Sequence, residues 1–258
     1  MHNETTIRRR FAKTLCMHRR NSRIHLLAGL MSCLALPALA HARTSWGGSL
    51  GVTTDYLVRG ISRSNHEPSL EAELHISGES GWMASVFTST TRIAPGESRD
   101  AELGALLGYA WNWNDDWSSR ITASHYSYPW NDLGTAYDYN EFSAELGYQG
   151  WLSFDVVYSP DAVRYTPDEG LIAVAARSAE VNLQSPAWHR LSFSAGLGYS
   201  SYGGPDGEDF AYWSTGCSLD LAPVTLSVGF IDTQAAARDL YYGSAARRRW
   251  MAAVLWRF

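Results

Sequence analysis

Apolar and polar residues alternate along most of this chain, the period of a β-strand whose two faces meet different surroundings. About twelve such segments follow one another, at residues 46–58, 68–77, 82–90, 101–113, 117–126, 139–148, 151–159, 174–184, 189–200, 210–221, 223–232 and 248–258. In one, Leu70, Ala72, Leu74 and Ile76 alternate with Glu71, Glu73 and His75; in another, Phe142, Ala144, Leu146 and Tyr148 alternate with Glu141, Ser143, Glu145 and Gly147. The last segment sets Trp250, Ala252, Val254, Trp256 and Phe258 on one face and Arg249, Met251, Ala253, Leu255 and Arg257 on the other. Residues 82–90 and 174–184 have ambiguous parity. Each segment is near the length that a tilted strand needs to cross a bilayer. Where the parity is clear, the polar face consists largely of Ser, Gly and Glu. A lipocalin-like barrel or soluble sandwich would bury its apolar face inside. The pattern therefore predicts an all-β fold, a single transmembrane, up-and-down antiparallel β-barrel of about 12 strands with a polar interior.

The connections alternate in length. Those at 77–81, 114–116, 149–150, 185–188 and 222 are tight, whereas those between are longer, as at 159–173 and 233–247. Short turns at one rim and long loops at the other are what an outer-membrane barrel requires, with turns periplasmic and loops outside. Aromatic residues sort the same way. Trp46, Trp82, Trp111, Trp113, Trp117, Trp151, Trp188 and Trp256 fall at the short-turn end. Of the tyrosines only Tyr109 and Tyr148 do, and Tyr56, Tyr126, Tyr128, Tyr139, Tyr158 and Tyr199 lie at or beyond the other end. This reads as two aromatic girdles.

The amino end carries Arg8, Arg9, Arg10, Lys13, Arg19, Arg20 and Arg23, then an apolar run from Ile24 to Leu39 and the small-residue site Ala40-His41-Ala42. Residues 1–42 are expected to be a cleaved signal peptide, with Met1 or Met17 as start, and residues 43–258 the barrel. Leu30-Met-Ser-Cys33 is a poor lipoprotein site because the apolar run continues past the cysteine. The leader holds seven of the 21 basic and one of the 26 acidic residues, which leaves 14 Arg against 25 acids and a net charge near −11. That balance argues against nucleic acid as a partner. Cys217 is the single cysteine after the leader, so no internal disulfide can form. The histidines are too scattered for a metal site, and no cofactor motif is present.

The closing Trp250 to Phe258 segment resembles the last strand of bacterial outer-membrane barrels. That likeness implies outer-membrane lipid as the solvent, and Phe258 as a mark read by the barrel-assembly machinery. The run Gly51-Val-Thr-Thr-Asp55-Tyr56-Leu-Val-Arg59-Gly60-Ile-Ser62-Arg-Ser64 resembles the opening signature of TorF-type porins, an exported proteobacterial family of poorly known function. Tyr126-Ser-Tyr128-Pro129 and the Glu141 strand followed by Tyr158-Ser-Pro160 are similar to that family too. The resemblance implies a pore in the outer membrane of a Gram-negative bacterium.

Parity points Asp55, Glu71, Glu73, Asp100, Glu102, Glu141, Glu145, Asp155, Glu180 and Asp220 inward, with Arg59, Arg120, Arg249 and Arg257 as the inward bases. These are the expected pore-lining residues. Their acidic excess predicts a barrel that passes small polar solutes with a mild cation preference. Asp55 and Arg59 stand about 13 Å apart along an extended strand, so each needs its own partner on another strand or loop. The reading favoured for this motif is that it fixes the rim and folds the first loop inward. Two alternatives stand beside the pore. One is a structural surface barrel. The other is a lipid hydrolase, since His125, Ser127 and Asn140 face outward near the outer rim and could supply base, nucleophile and orienting amide.

Overall fold

The computed structural model describes residues 44–92, 98–131, 134–166, 170–203, 209–240 and 245–258. The expected signal peptide lies outside them. Twelve antiparallel strands form one closed barrel: β1 (Thr44–Thr53), β2 (Ser69–Gly78), β3 (Trp82–Thr91), β4 (Asp100–Asn112), β5 (Trp117–Ser127), β6 (Tyr139–Tyr148), β7 (Leu152–Thr166), β8 (Gly170–Gln184), β9 (Leu191–Tyr202), β10 (Asp209–Leu221), β11 (Val224–Thr233) and β12 (Arg249–Arg257). Each strand pairs with its sequence neighbours, and β1 closes the cylinder against β12 in the register Ser49↔Arg257 to Thr53↔Ala253. Phe258 extends that seam, exchanging backbone hydrogen bonds of 3.0 Å with Gly48 in both directions. Closure leaves no free sheet edge, the condition for placing strands in lipid.

Tight turns join the strands at one rim, and their chemistry is local. Gln149 and Gly150 both have positive φ (48° and 71°), the two-residue turn whose twist suits a hairpin. Asn114 bends the β4–β5 turn by accepting from the backbone N–H groups of Asp116 and Trp117, each at 2.9 Å. At the other rim most connections are longer, but β7 and β8 pair from Leu183↔Leu152 up to Gly170↔Thr166, through an irregularity between Val174 and Ala176, so that only residues 167–169 separate them. Sequence alternation had placed residues 159–173 in a loop. The extra residue at the bulge breaks the period-2 pattern there, although the ladder continues.

Alternation sorts the two faces. Leu50, Leu70, Leu74, Val86, Leu107, Ile121, Phe142, Phe154, Leu197 and Val254 all stand exposed on the outer wall. An apolar belt of that size has no place in water. Trp46, Trp82, Trp113, Trp117, Trp151, Trp188 and Trp256 stand exposed at the tight-turn end of the belt, and Tyr158, Tyr199, Trp213 and Trp250 at the other. Cys217 is a free thiol on the outer face. The inner wall carries Ser49, Ser85, Ser89, Ser124, Ser153 and Ser200, all buried, together with the charged residues described below.

Candidate functional site

β1 ends at Thr53, five residues before the alternation does. There the chain leaves the wall and residues 54–68 turn into the barrel. Leu57–Val58 and Ile61–Ser62 pair as a minute two-stranded ribbon. Its tip, Arg59-Gly60, has positive φ at both residues (48° and 81°), so glycine is needed for the turn. It is needed for space as well. A Cβ on Gly60 would lie 2.5 Å from Thr233 Oγ1 and 2.9 Å from Tyr212 Cβ. The Thr233 hydroxyl donates to the Gly60 carbonyl at 2.8 Å, which pins the tip to the β10–β11 wall.

Asp55 anchors the loop's start. One carboxylate oxygen accepts from the hydroxyls of Ser62 (2.6 Å) and Ser64 (2.9 Å); the other accepts from Arg249 Nη1 at 2.6 Å, with His66 Nδ1 at 3.2 Å. Arg249 also donates to the carbonyls of Ala245 and Arg247, each at 2.7 Å. At the tip, Arg59 reaches a different part of the wall and grips Glu141 with two parallel bonds, Nη1–Oε1 2.7 Å and Nη2–Oε2 2.8 Å. Between them, the Tyr56 hydroxyl donates to Glu102 Oε1 at 2.6 Å, and Tyr128 donates to the other oxygen of the same fully buried carboxylate. Two opposed anchors thus hold one loop across the lumen.

Aromatic rings fill the space around it. Tyr126 and Tyr139 stack at 4.4 Å with an 11° interplanar angle, and Phe87, Tyr128 and Tyr137 pack beside them. On the facing side, Ile61 packs with Phe210, Tyr212, Ala237, Ala245 and Ala246. The inner wall makes room with glycine: a Cβ on Gly198 would fall 2.1 Å from Tyr212 Cζ. Sequence position alone had assigned Tyr56, Tyr126, Tyr128 and Tyr139 to the outer girdle. They lie inside the barrel, 1–6 % exposed, because Tyr126 shares the inward parity of Arg120 and Tyr139 that of Glu141. They stand at the height of the outer rim with their rings turned to the inner face. Tyr158 and Tyr199 do face outward.

The remaining expected lining residues lie on the inner face of their strands, mostly in separate small groups. Arg120 pairs with Glu145, and Ser153 donates to Asp155 at 3.3 Å. Glu180 accepts from the Tyr212 hydroxyl at 2.7 Å. Asp220 and Arg257 both contact Thr225 Oγ1, at 3.4 and 2.8 Å. Glu73 lies 3.8 Å from His75, and Glu71 faces Ser89, which in turn faces Glu102. A cavity opens beneath the ribbon tip, bordered by Leu57, Arg59, Gly60, Glu180, Ser194 and Ser214. Outside the barrel mouth, Glu67 ties residue 54–68 loop to the β3–β4 connection. A hydrogen bond from Arg99 holds its carboxyl below the ordinary range, against the opposing effect of desolvation, and the charges of Arg92 and Arg99 add to the lowering. Among the described residues no cluster could hold a metal ion.

On the outer face, His125 Nδ1 lies 3.0 Å from Asn140 Oδ1. The Asn140 side-chain amide in turn donates to Asp161 Oδ2 at 2.6 Å. Ser127 shares that face, but among the described residues no hydrogen bond joins it to His125.

The structure is similar to that of the NanC porin, with 12 % identity and a TM-score of 0.53, covering 82 % of this chain and 98 % of that one. It also aligns with the KdgM porin (9 % identity, TM-score 0.49, 82 % of this chain and 99 % of that one). An outer membrane channel from Pseudomonas putida F1 aligns as well (12 % identity, TM-score 0.48, 85 % and 96 %). At such identities the likeness to the first of these speaks to the fold. No curated protein matches the chain in sequence. Residues 38–257 match a family described as a bacterial protein of unknown function, Gcw_chp, and with nearly the whole barrel inside that match the chain belongs to the Gcw_chp family.

Proposed function

We propose that this protein is an outer-membrane channel of the small porin type, which passes small polar solutes with a mild cation preference and narrows at its outer mouth through residues 54–68. The observation that carries this reading is the inversion of the barrel: an apolar belt outside, and serine, carboxylate and arginine inside. Such a wall suits lipid on one side and water on the other. Support comes from the porin named among the similar folds and from the resemblance of residues 51–64 to TorF-type porins. Carboxylates outnumber guanidiniums on the inner wall, an excess that favours cations in a narrow lumen. Single-channel recording of the refolded protein in planar bilayers tests the reading. Small, cation-biased conductance is expected. Charge reversal of Glu73 and Glu145 to Lys should move the reversal potential toward anions, and a barrel that never conducts would end the proposal.

A second reading draws on the aligned Asp161–Asn140–His125 chain. It orients the imidazole with Nδ1 toward Asn140, leaving Nε2 to act as a base for Ser127 toward an acyl ester in the outer leaflet. Hydrolysis of a fluorescent phospholipid by the wild type, lost in Ser127→Ala, would establish it; no hydrolysis by the wild type would remove it.

A further inference from the structure

Glu141 lies almost wholly buried on the inner wall, and what it holds is a guanidinium from its own chain. The arrangement is that of a receptor with its ligand in place. Both carboxylate oxygens are engaged by parallel N–H groups, the geometry that selects a planar fork over a spherical ammonium. Aromatic rings wall the site: the Tyr126 hydroxyl is 3.5 Å from Glu141 Oε2, and the Tyr126 ring stacks on Tyr139. Arg59 reaches this place from the left-handed region, at φ 48°, a conformation that a residue with a side chain adopts only where its surroundings hold it. The cavity beneath the tip offers a second destination, for Glu180 lies on its border with Arg59. The ribbon tip thus has a carboxylate to leave and another to go to.

We propose that Glu141 and its tyrosine wall form a binding site for planar cations, that Arg59 is its built-in occupant, and that a solute carrying a guanidinium or amidinium group displaces Arg59 and frees the loop. The consequence for transport rests on the pore reading above; the binding does not. Arg59 is tethered, so its local concentration at Glu141 is on the order of millimolar or higher, and a free competitor must reach a similar concentration. A ligand shifts the loop only through its preference for the displaced state. The geometry grants that preference to planar cations and withholds it from ammonium ions of the same charge.

The test uses methylguanidinium, with methylammonium at equal ionic strength as control, on the refolded full-length barrel in detergent. In Arg59→Ala the site is vacant, and millimolar methylguanidinium should raise the thermal transition saturably while methylammonium does not. The double variant Arg59→Ala/Glu141→Gln should lose the response. Should Arg59→Ala not refold, Arg59→Lys keeps the charge and gives up the fork, and methylguanidinium should then act at a concentration at least about tenfold below that needed in the wild type. In wild-type recordings, tens of millimolar methylguanidinium should increase open time. Equal responses to the two cations, or a response that survives Glu141→Gln, would overturn the proposal. Binding without any conductance would fell the pore reading and leave the site standing; conductance without selective binding would do the reverse.

Discussion

Single residues decide whether the loop can enter the barrel. Gly60 combines a positive φ with contact against Thr233 and Tyr212, so Gly60→Ala meets both backbone strain and overpacking, together roughly 2–4 kcal/mol. The expected outcome is a loop displaced from the wall, read as faster tryptic cleavage after Arg59 and Arg63 with the barrel intact. Glu67 gives a pH signature. Its carboxyl is held below the ordinary range in the folded loop, so its ion pairs with Arg99 and Arg92 are fully present above the unfolded-state pKa, about 4.3, and are lost as pH falls through the lowered folded value. Protease sensitivity of residues 54–68 should rise as pH falls below about 4, and Glu67→Gln should be equally sensitive at all pH values. The sequence shows Gly60 to be a turn residue. It does not show the wall at Thr233, which lies 173 positions away. The inward tyrosines were readable, because Tyr126 follows Arg120 by six positions on one strand; parity, more than distance from the rim, decides which face a ring takes.

At the scale of elements, strand existence and order followed from alternation alone, and strand ends did not. Residues 54–58 continue an alternating pattern, yet the chain departs at Thr53. The cause is the set of bonds that Asp55 makes to Ser62, Ser64 and Arg249, and no local period records a partner near the other end of the sequence. Asp55→Asn breaks a buried ion pair while leaving its guanidinium in place, a loss of about 3–5 kcal/mol where no new partner forms. The twelve wall strands retain their own ladder, so this variant should still migrate as a heat-modifiable folded barrel while residues 54–68 become accessible to trypsin. Collapse of the barrel itself would show that the loop is part of the wall's stability rather than a separable insert. The long β7–β8 ladder escaped the pattern for a different reason. One bulge exchanges the two faces, and a strict count of alternation stops there although the hydrogen bonds do not.

For the whole molecule, the apolar belt assigns a solvent to each face. Ala195 stands near the middle of the outward row of β9, between Phe193 and Leu197, and Ser201 near its outer end. Ala195→Arg should lower stability in liposomes by about 2–4 kcal/mol and Ser201→Arg by no more than about 1, measured by denaturant unfolding. Equal costs would argue that the belt does not lie in hydrocarbon. The Asp55–Arg249 bridge also has a temporal meaning. It joins residues 194 positions apart across the seam where β1 meets β12. During synthesis its second half is made long after its first, and in any sequential assembly the bridge forms only when the cylinder shuts. This anchor of the loop is therefore a product of closure, whereas the grip of Arg59 on Glu141 is not. A barrel still open at the seam, or one cut short of Arg249, can hold the loop only by its tip, and the finished cylinder alone fixes it at both ends.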